Sequence, residues 1–154
     1  MGSSTVPTGQ VLLVDGGGLV ESMNIQEKIA AQRALVENPP TFALNVMLGG
    51  ERTVVEFTKL RGDEWQLIAR MNPPRVGVQG DKDMDVNLDT LPADYPVAKI
   101  TVDGEPVDEA TWREMYALLD SFHKQNVAVG IWELNILSGV LELVAAGKAV
   151  AGQQ

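Results

Sequence analysis

The sequence predicts an α+β fold that is predominantly helical, with one β-hairpin packed against helices and a C-terminal helical hairpin. Three observations predict it. The last third of the chain is strongly helical in its spacing. One hairpin signal, centred on Gly49-Gly50, stands out from the rest. Two stretches rich in helix formers flank it and end at Pro-Pro pairs.

The elements follow in chain order. Residues 1–20 contain "VLLVDGGGLV", read as a short strand and a glycine turn within a flexible N-terminal arm. The triple glycine lacks the Gly-Lys-Ser/Thr ending of a phosphate loop. Residues 21–37 form a helix with Ile25, Ile29, Leu35 and Val36 roughly on one face, stopped by Asn38-Pro39-Pro40. Phe42, Leu44, Val46 and Leu48 then alternate inward, Gly49-Gly50 turns, and Val54, Phe57 and Leu60 follow on the return strand. Residues 62–71 form a short helix capped by Asp63, with Trp65, Ile68 and Met71 on one face and Asn72-Pro73-Pro74 as its stop. Residues 75–107 show little periodicity, and a short helix over about 92–100 is the one element expected there. Asp108 and Glu109 open a helix carrying Trp112, Met115, Tyr116, Leu119 and Phe122. A break near His123–Gln125 leads to a second helix over about 126–147, closed by Gly147, with a frayed tail at 148–154. The domain expectation is therefore an arm at 1–20, one α-rich assembly domain at 21–147, and the tail.

Composition narrows the function classes. A chain of 154 residues suits one domain with its own core. It has no cysteine and one histidine, which removes thiolate chemistry and leaves few means for a zinc site or a hydrolytic triad. A net charge of −9 argues against nucleic acid as a partner. Neither the "MGSS" start nor the apolar region 127–146, broken by Glu133, Asn135 and Glu142, reads as a secretion signal or a membrane span. No nucleophile, base and stabiliser come together, so the expectation is a non-catalytic protein with no cofactor and no metal.

"GDKDMDVNLDT" places acids at every second position from Asp81. A calcium loop needs glycine at its sixth position and glutamate at its twelfth, where this chain has Val86 and Pro92. The plainer expectation is a solvated turn, acids outward, with Met84, Val86 and Leu88 inward. His123, read as lying just past a helix, is expected to meet its last carbonyls. The 126–147 helix is apolar on more than one face: Val127, Ile131, Leu134 and Leu141 on one side, Val129, Trp132, Ile136, Val140 and Leu143 on another. Such a helix is buried centrally or offered to a partner. Trp132 is the tryptophan expected at a partner contact.

The order "VVEFTKLRGDEWQLIARMNPP", then Asp81, then "NLDTLP" resembles the tail assembly chaperones of long-tailed (siphovirus-type) phages of actinobacteria. Trp65, Pro73, Pro74, Asp81, Asn87, Asp89, Thr90, Leu91 and Pro92 match that pattern, and "DEATWREMYALLD" with Trp112, followed by "WELN", is similar to the family's later helix. Asn72 stands where the family often has histidine, and the glycine hairpin is longer than usual. The resemblance makes the acidic stretch a structural connector. It implies a chaperone that binds and solubilises the phage's tape measure protein and helps recruit the major tail protein. It also implies action in the host cytoplasm during assembly and absence from the finished virion. The candidate anchors are Ile131, Trp132, Ile136, Val140 and Leu143, with self-association a further expectation. A permanent structural component of the virion, tail or connector, is the alternative; a calcium-binding adaptor is a third class.

Overall fold

In the computed structural model the backbone is described over residues 10–14 and 18–151, and side chains from 22 to 147. Expectations placed on residues 1–9, 15–17 and 152–154 lie outside the described residues. The chain divides into two compact units, Met1–Pro39 and Pro40–Gln154.

In the first unit, β1 (Gln10–Val14) pairs antiparallel with β2 (Gly18–Ser22). Helix α1 (Ile25–Glu37) follows. Asn24 starts it by a reciprocal cap: its Oδ1 accepts from Glu27 N (2.9 Å), and the Glu27 carboxylate accepts from Asn24 N (2.9 Å). The helix stops at Asn38, before the prolines, as expected. Ile25, Ile29, Leu35 and Val36 are all exposed, and no residue of α1 is buried.

The second unit is built on an antiparallel sheet in the order β3-β4-β5-β6. β3 (Thr41–Leu48) and β4 (Glu51–Thr58) form the expected hairpin. Gly49 (φ 62°) and Gly50 (φ 80°) both take the left-handed conformation that a tight two-residue turn demands. Phe42, Leu44, Val46 and Leu48 face inward, as read. On β4 the inward set is Thr53, Val55 and Phe57; Val54 points out.

The sheet is larger than the single hairpin expected. β5 (Ile100–Val102) pairs with β4, and β6 (Glu105–Pro106) with β5. Asp103 (φ 51°) and Gly104 (φ 82°) make a second two-residue turn. The Asp103 carboxylate accepts from Val54 N (2.9 Å), which ties this turn to β4.

Helix α2 (Gly62–Met71) begins differently from the expectation. Asp63 does not cap it. Glu64 accepts from Arg61 N (2.9 Å), while Asp63 holds the Arg61 guanidinium. An unforeseen helix, α3 (Gln79–Met84), lies in the aperiodic region. The helix expected near 92–100 is two 3-10 turns, Leu91–Asp94 and Val97–Lys99.

Helix α4 (Glu109–Leu118) is capped by Asp108, whose Oδ1 accepts from Thr111 N (2.7 Å). The following break falls at Leu119-Asp120, not at His123–Gln125. Asp120 accepts from His123 N (2.9 Å), and the helix restarts at Ser121 rather than near residue 126. α5 (Ser121–Trp132) runs through a π-turn (Glu133–Leu137) into α6 (Ser138–Ala151). The backbone stays helical through Gly147, so the closure expected there does not occur.

The core joins the inner sheet face to the helices: Val46, Val55, Phe57, Ile68, Leu91, Tyr95, Trp112, Tyr116, Val127 and Ile131. Phe57 stands edge-on to both Tyr95 and Trp112. α5 lies so close to β3 that a Cβ at Gly130 would sit 2.5 Å from Phe42 Cε2.

Candidate functional site

Asn87, Asp89, Thr90, Pro92 and Trp112, among the residues singled out in the sequence, meet in one hydrogen-bonded patch around Asn72. Asn72, at the stop of α2, is buried. Its Nδ2 donates to Ile68 O (3.0 Å) and Asp94 Oδ2 (3.0 Å), and its Oδ1 accepts from Thr90 Oγ1 (2.6 Å). Its carbonyl accepts from Asn87 N (2.8 Å). Asn87 in turn accepts from Asp89 N (2.9 Å) and Thr90 N (3.3 Å), forming the turn that delivers Leu91 and Pro92 to the core. Trp112 Nε1 donates to Pro92 O (2.8 Å), and Tyr116 Oη to Asp89 O (3.1 Å). The "NLDTLP" run is therefore a staple between α2 and α4. Trp65 is half-buried against the core, whereas Pro73 and Pro74 are exposed.

Asp81 departs from the expectation of outward acids, which Asp83, Asp85 and Asp89 meet, with Met84, Val86 and Leu88 turned inward as read. The Asp81 side chain is fully buried. Arg75 reaches it with Nε (2.8 Å) and Nη2 (3.1 Å), and the backbone N–H groups of Arg75 (3.0 Å) and Leu88 (3.1 Å) also donate to it. Both carboxylate oxygens are occupied, so the first position of the supposed cation loop is taken by protein donors. Hydrogen bonding from Arg75 holds the Asp81 carboxyl well below the usual carboxylate range. Among the described residues, no cluster of three His, Asp or Glu side chains is placed to hold a metal ion.

The π-turn has its own polar knot. Asn135 Oδ1 accepts from Leu60 N (2.8 Å), and Nδ2 donates to Tyr95 Oη (3.0 Å) and Ile131 O (2.9 Å). Tyr95 Oη donates to Thr58 O (2.7 Å). The end of β4, a 3-10 turn and the long helix are thereby tied at one buried point. Burial pushes the Tyr95 phenol well above its ordinary value.

His123 belongs to the first turn of α5, not to the end of a helix, and cannot meet the last carbonyls of α4. Its ring stands edge-on to Phe122, and its Nδ1 is buried without a hydrogen-bond partner.

The candidate partner residues separate into two groups. Ile131 is fully buried in the core. Trp132 packs half-buried against the core, and its Nε1 donates to Met84 O (3.1 Å). Ile131 is therefore no surface anchor, and Trp132 offers only part of its ring to the surface. Ile136 is half-buried, whereas Val140 and Leu143 are exposed. Leu141 and Val144 are exposed beside them. At about 100° per residue, Ile136, Leu137, Val140, Leu141, Leu143 and Val144 fall within roughly 160° of the helix, with Ser138, Glu142 and Ala145 opposite. The apolar side of α6 thus continues past the core. Leu141 and Val144, not among the candidate anchors read from the sequence, lie on this same exposed side.

Ser121–Gly147 is long and apolar enough, by length and composition, to cross a bilayer. Its first half, with Val127, Ile131 and Leu134, is buried in the core.

No protein-family model, curated protein or solved structure matches this chain.

Proposed function

We propose that this protein is a non-catalytic tail assembly chaperone. It binds an apolar helical face of a phage tape measure protein, keeps it soluble in the host cytoplasm, and helps deliver major tail subunits before the virion is complete. The observation that carries the reading is the uncovered apolar side of α6, with Val140 46%, Leu141 57%, Leu143 74% and Val144 47% exposed. An apolar stripe on a helix rooted in a packed core can seat an amphipathic helix of a partner. The net charge of −9 supports solubility of the coated complex. The sequence resemblance supplies the identity of that partner.

Co-expression with the tape measure protein of the same phage tests the proposal. This chain should hold the tape measure protein in the soluble fraction and co-elute with it. Leu143→Asp should abolish co-elution while leaving the melting temperature within about 2 °C, because an exposed side chain contributes little to folding. Ile131→Asp should unfold the protein instead. A well-folded chain that neither binds nor solubilises the tape measure protein refutes the proposal.

The four-stranded sheet, richer in strand than expected, favours the second reading of a permanent virion component. Purified particles decide between them: a chaperone is absent from them, and a structural subunit is present.

A further inference from the structure

The two edges of the four-stranded sheet are finished differently. β6 is two residues long and consists of Glu105 and Pro106, a charge and a residue with no N–H. Both are common ways to stop a sheet from growing. β3 has neither. It runs for eight residues, "TFALNVML", with no charge and no proline, and it pairs with β4 in unbroken register from Thr41↔Thr58 to Leu48↔Glu51.

The hydrogen bonds show which groups of β3 face away from β4. Lys59 N donates to Pro40 O (3.0 Å). In an antiparallel ladder bonded and non-bonded pairs alternate, so 42/57, 44/55, 46/53 and 48/51 are the bonded pairs that follow. Val54, opposite Asn45, instead bonds toward the far side through Asp103 N (2.7 Å to Val54 O). The N–H and C=O groups of Thr41, Ala43, Asn45 and Met47 therefore point to the open edge, and no partner meets them among the described residues. The side chains of these four residues are exposed, while Phe42 and Leu44, on the core side, are only half-buried.

We propose that this edge pairs with the same edge of a second copy, antiparallel about Leu44, to make a continuous eight-stranded sheet across a two-fold axis. An isologous strand must complement its own reverse, and β3 does. In this register Thr41 lies opposite Met47, Phe42 opposite Val46, Ala43 opposite Asn45, and Leu44 opposite itself. The four outward-pointing residues then form the bonded pairs. Apolar side chains meet apolar ones on the core side, which covers Phe42 and Leu44. Charge selects the same place. A chain of net charge −9 repels its copies over much of its surface, and β3 offers an approach with no charge along it. A strand-sized interface is small, so the dimer is weak and concentration-dependent, with Kd expected at roughly micromolar to sub-millimolar values. The surface is separate from α6, and the inference does not rest on the chaperone reading.

Sedimentation velocity of the full chain from about 5 to 500 μM, a window that spans this range, tests it with two double variants. Ala43→Lys with Asn45→Lys puts like charges opposite each other twice across the two-fold axis. Dimerisation should weaken by about tenfold or more. Ala43→Lys with Asn45→Glu puts opposite charges at the same two places, and Kd should stay within about threefold of the parent or tighten. Within one chain, residues 43 and 45 keep the same neighbours in both variants, Glu56 and Val54, so equal melting temperatures serve as the folding control. Amide exchange of residues 41, 43, 45 and 47 should slow with concentration in the parent and not in the Lys/Lys variant. Three results would each overturn the proposal. One is a monomer throughout the range, which would leave the edge to an extended segment of another protein. Another is a dimer indifferent to the two charge patterns. The last is edge amides protected at every concentration, meaning the chain covers its own edge.

Discussion

Replacing Asp81 by Asn tests the central structural correction. Asparagine has the same shape but loses the charge and turns an amide NH2 toward donors. Four donors converge on Asp81: the Arg75 backbone N–H, Arg75 Nε and Nη2, and the Leu88 backbone N–H. The guanidinium bonds count for less than the backbone ones, since the Arg75 side chain is 44% exposed and can turn to water. The two backbone N–H groups cannot. Asn can satisfy one of them through its single oxygen and leaves the other facing an amide donor. With bonds to a buried carboxylate worth about 1.5–3 kcal/mol each, the expected loss is about 2–3 kcal/mol at pH 7. Arg75→Gln should cost less, because it leaves both backbone donors in place. The pH dependence adds a second check. The folded carboxyl titrates below its ordinary value of 3.8. Its stabilisation is therefore present above that value and is lost as the pH falls toward the folded value. The gap between parent and Asp81→Asn should hold from pH 7 to about 5 and shrink by about 1 kcal/mol at pH 3. Urea unfolding followed by tryptophan fluorescence measures this directly, since Trp65, Trp112 and Trp132 all lie in the unit Pro40–Gln154. A loss below 0.5 kcal/mol, roughly the scatter of surface substitutions, would refute the account, as would a gap unchanged between pH 7 and pH 3.

Two further predictions concern packing. Gly130→Ala adds a methyl that meets the Phe42 ring; the cost of overpacking should exceed the ~1 kcal/mol that alanine gains in helix propensity, for a net loss of about 1 kcal/mol by urea unfolding. Combined with Phe42→Leu, the same substitution should become neutral or stabilising, and a double-mutant cycle showing no coupling would count against the close approach. Asn135→Leu strands Leu60 N–H and removes a partner of Tyr95 Oη; a loss of about 2–3 kcal/mol is expected, and a Leu60 amide that exchanges no faster than in the parent would contradict the assignment.

Much of the fold was legible where the determining interactions are short in sequence. The β3–β4 hairpin follows from alternation around two glycines. The ends of α1 and α2 follow from their Pro-Pro stops, and α4 from its Asp108 cap and apolar spacing. The second turn was also written locally, as Asp103-Gly104 between "ITV" and "EPV", but its three- and two-residue strands are too short to show alternation. α3 has no apolar period in "QGDKDM" and forms where Asp81 gathers donors from Arg75 and Leu88.

What the sequence determined by itself is the set of elements whose rules act within a few residues: where strands turn, where Pro-Pro pairs stop helices, and that the last helix is apolar on more than one side. Tertiary structure alone decided which of those apolar sides is covered. Ile131 and Trp132 face the core because the sheet, the Tyr95 turn and Met84 meet them there, whereas Val140 and Leu143 lie beyond the reach of that core. The same holds for Asp81. A carboxylate goes inside only when enough donors wait for it, and that supply depends on how the chain folds around the position.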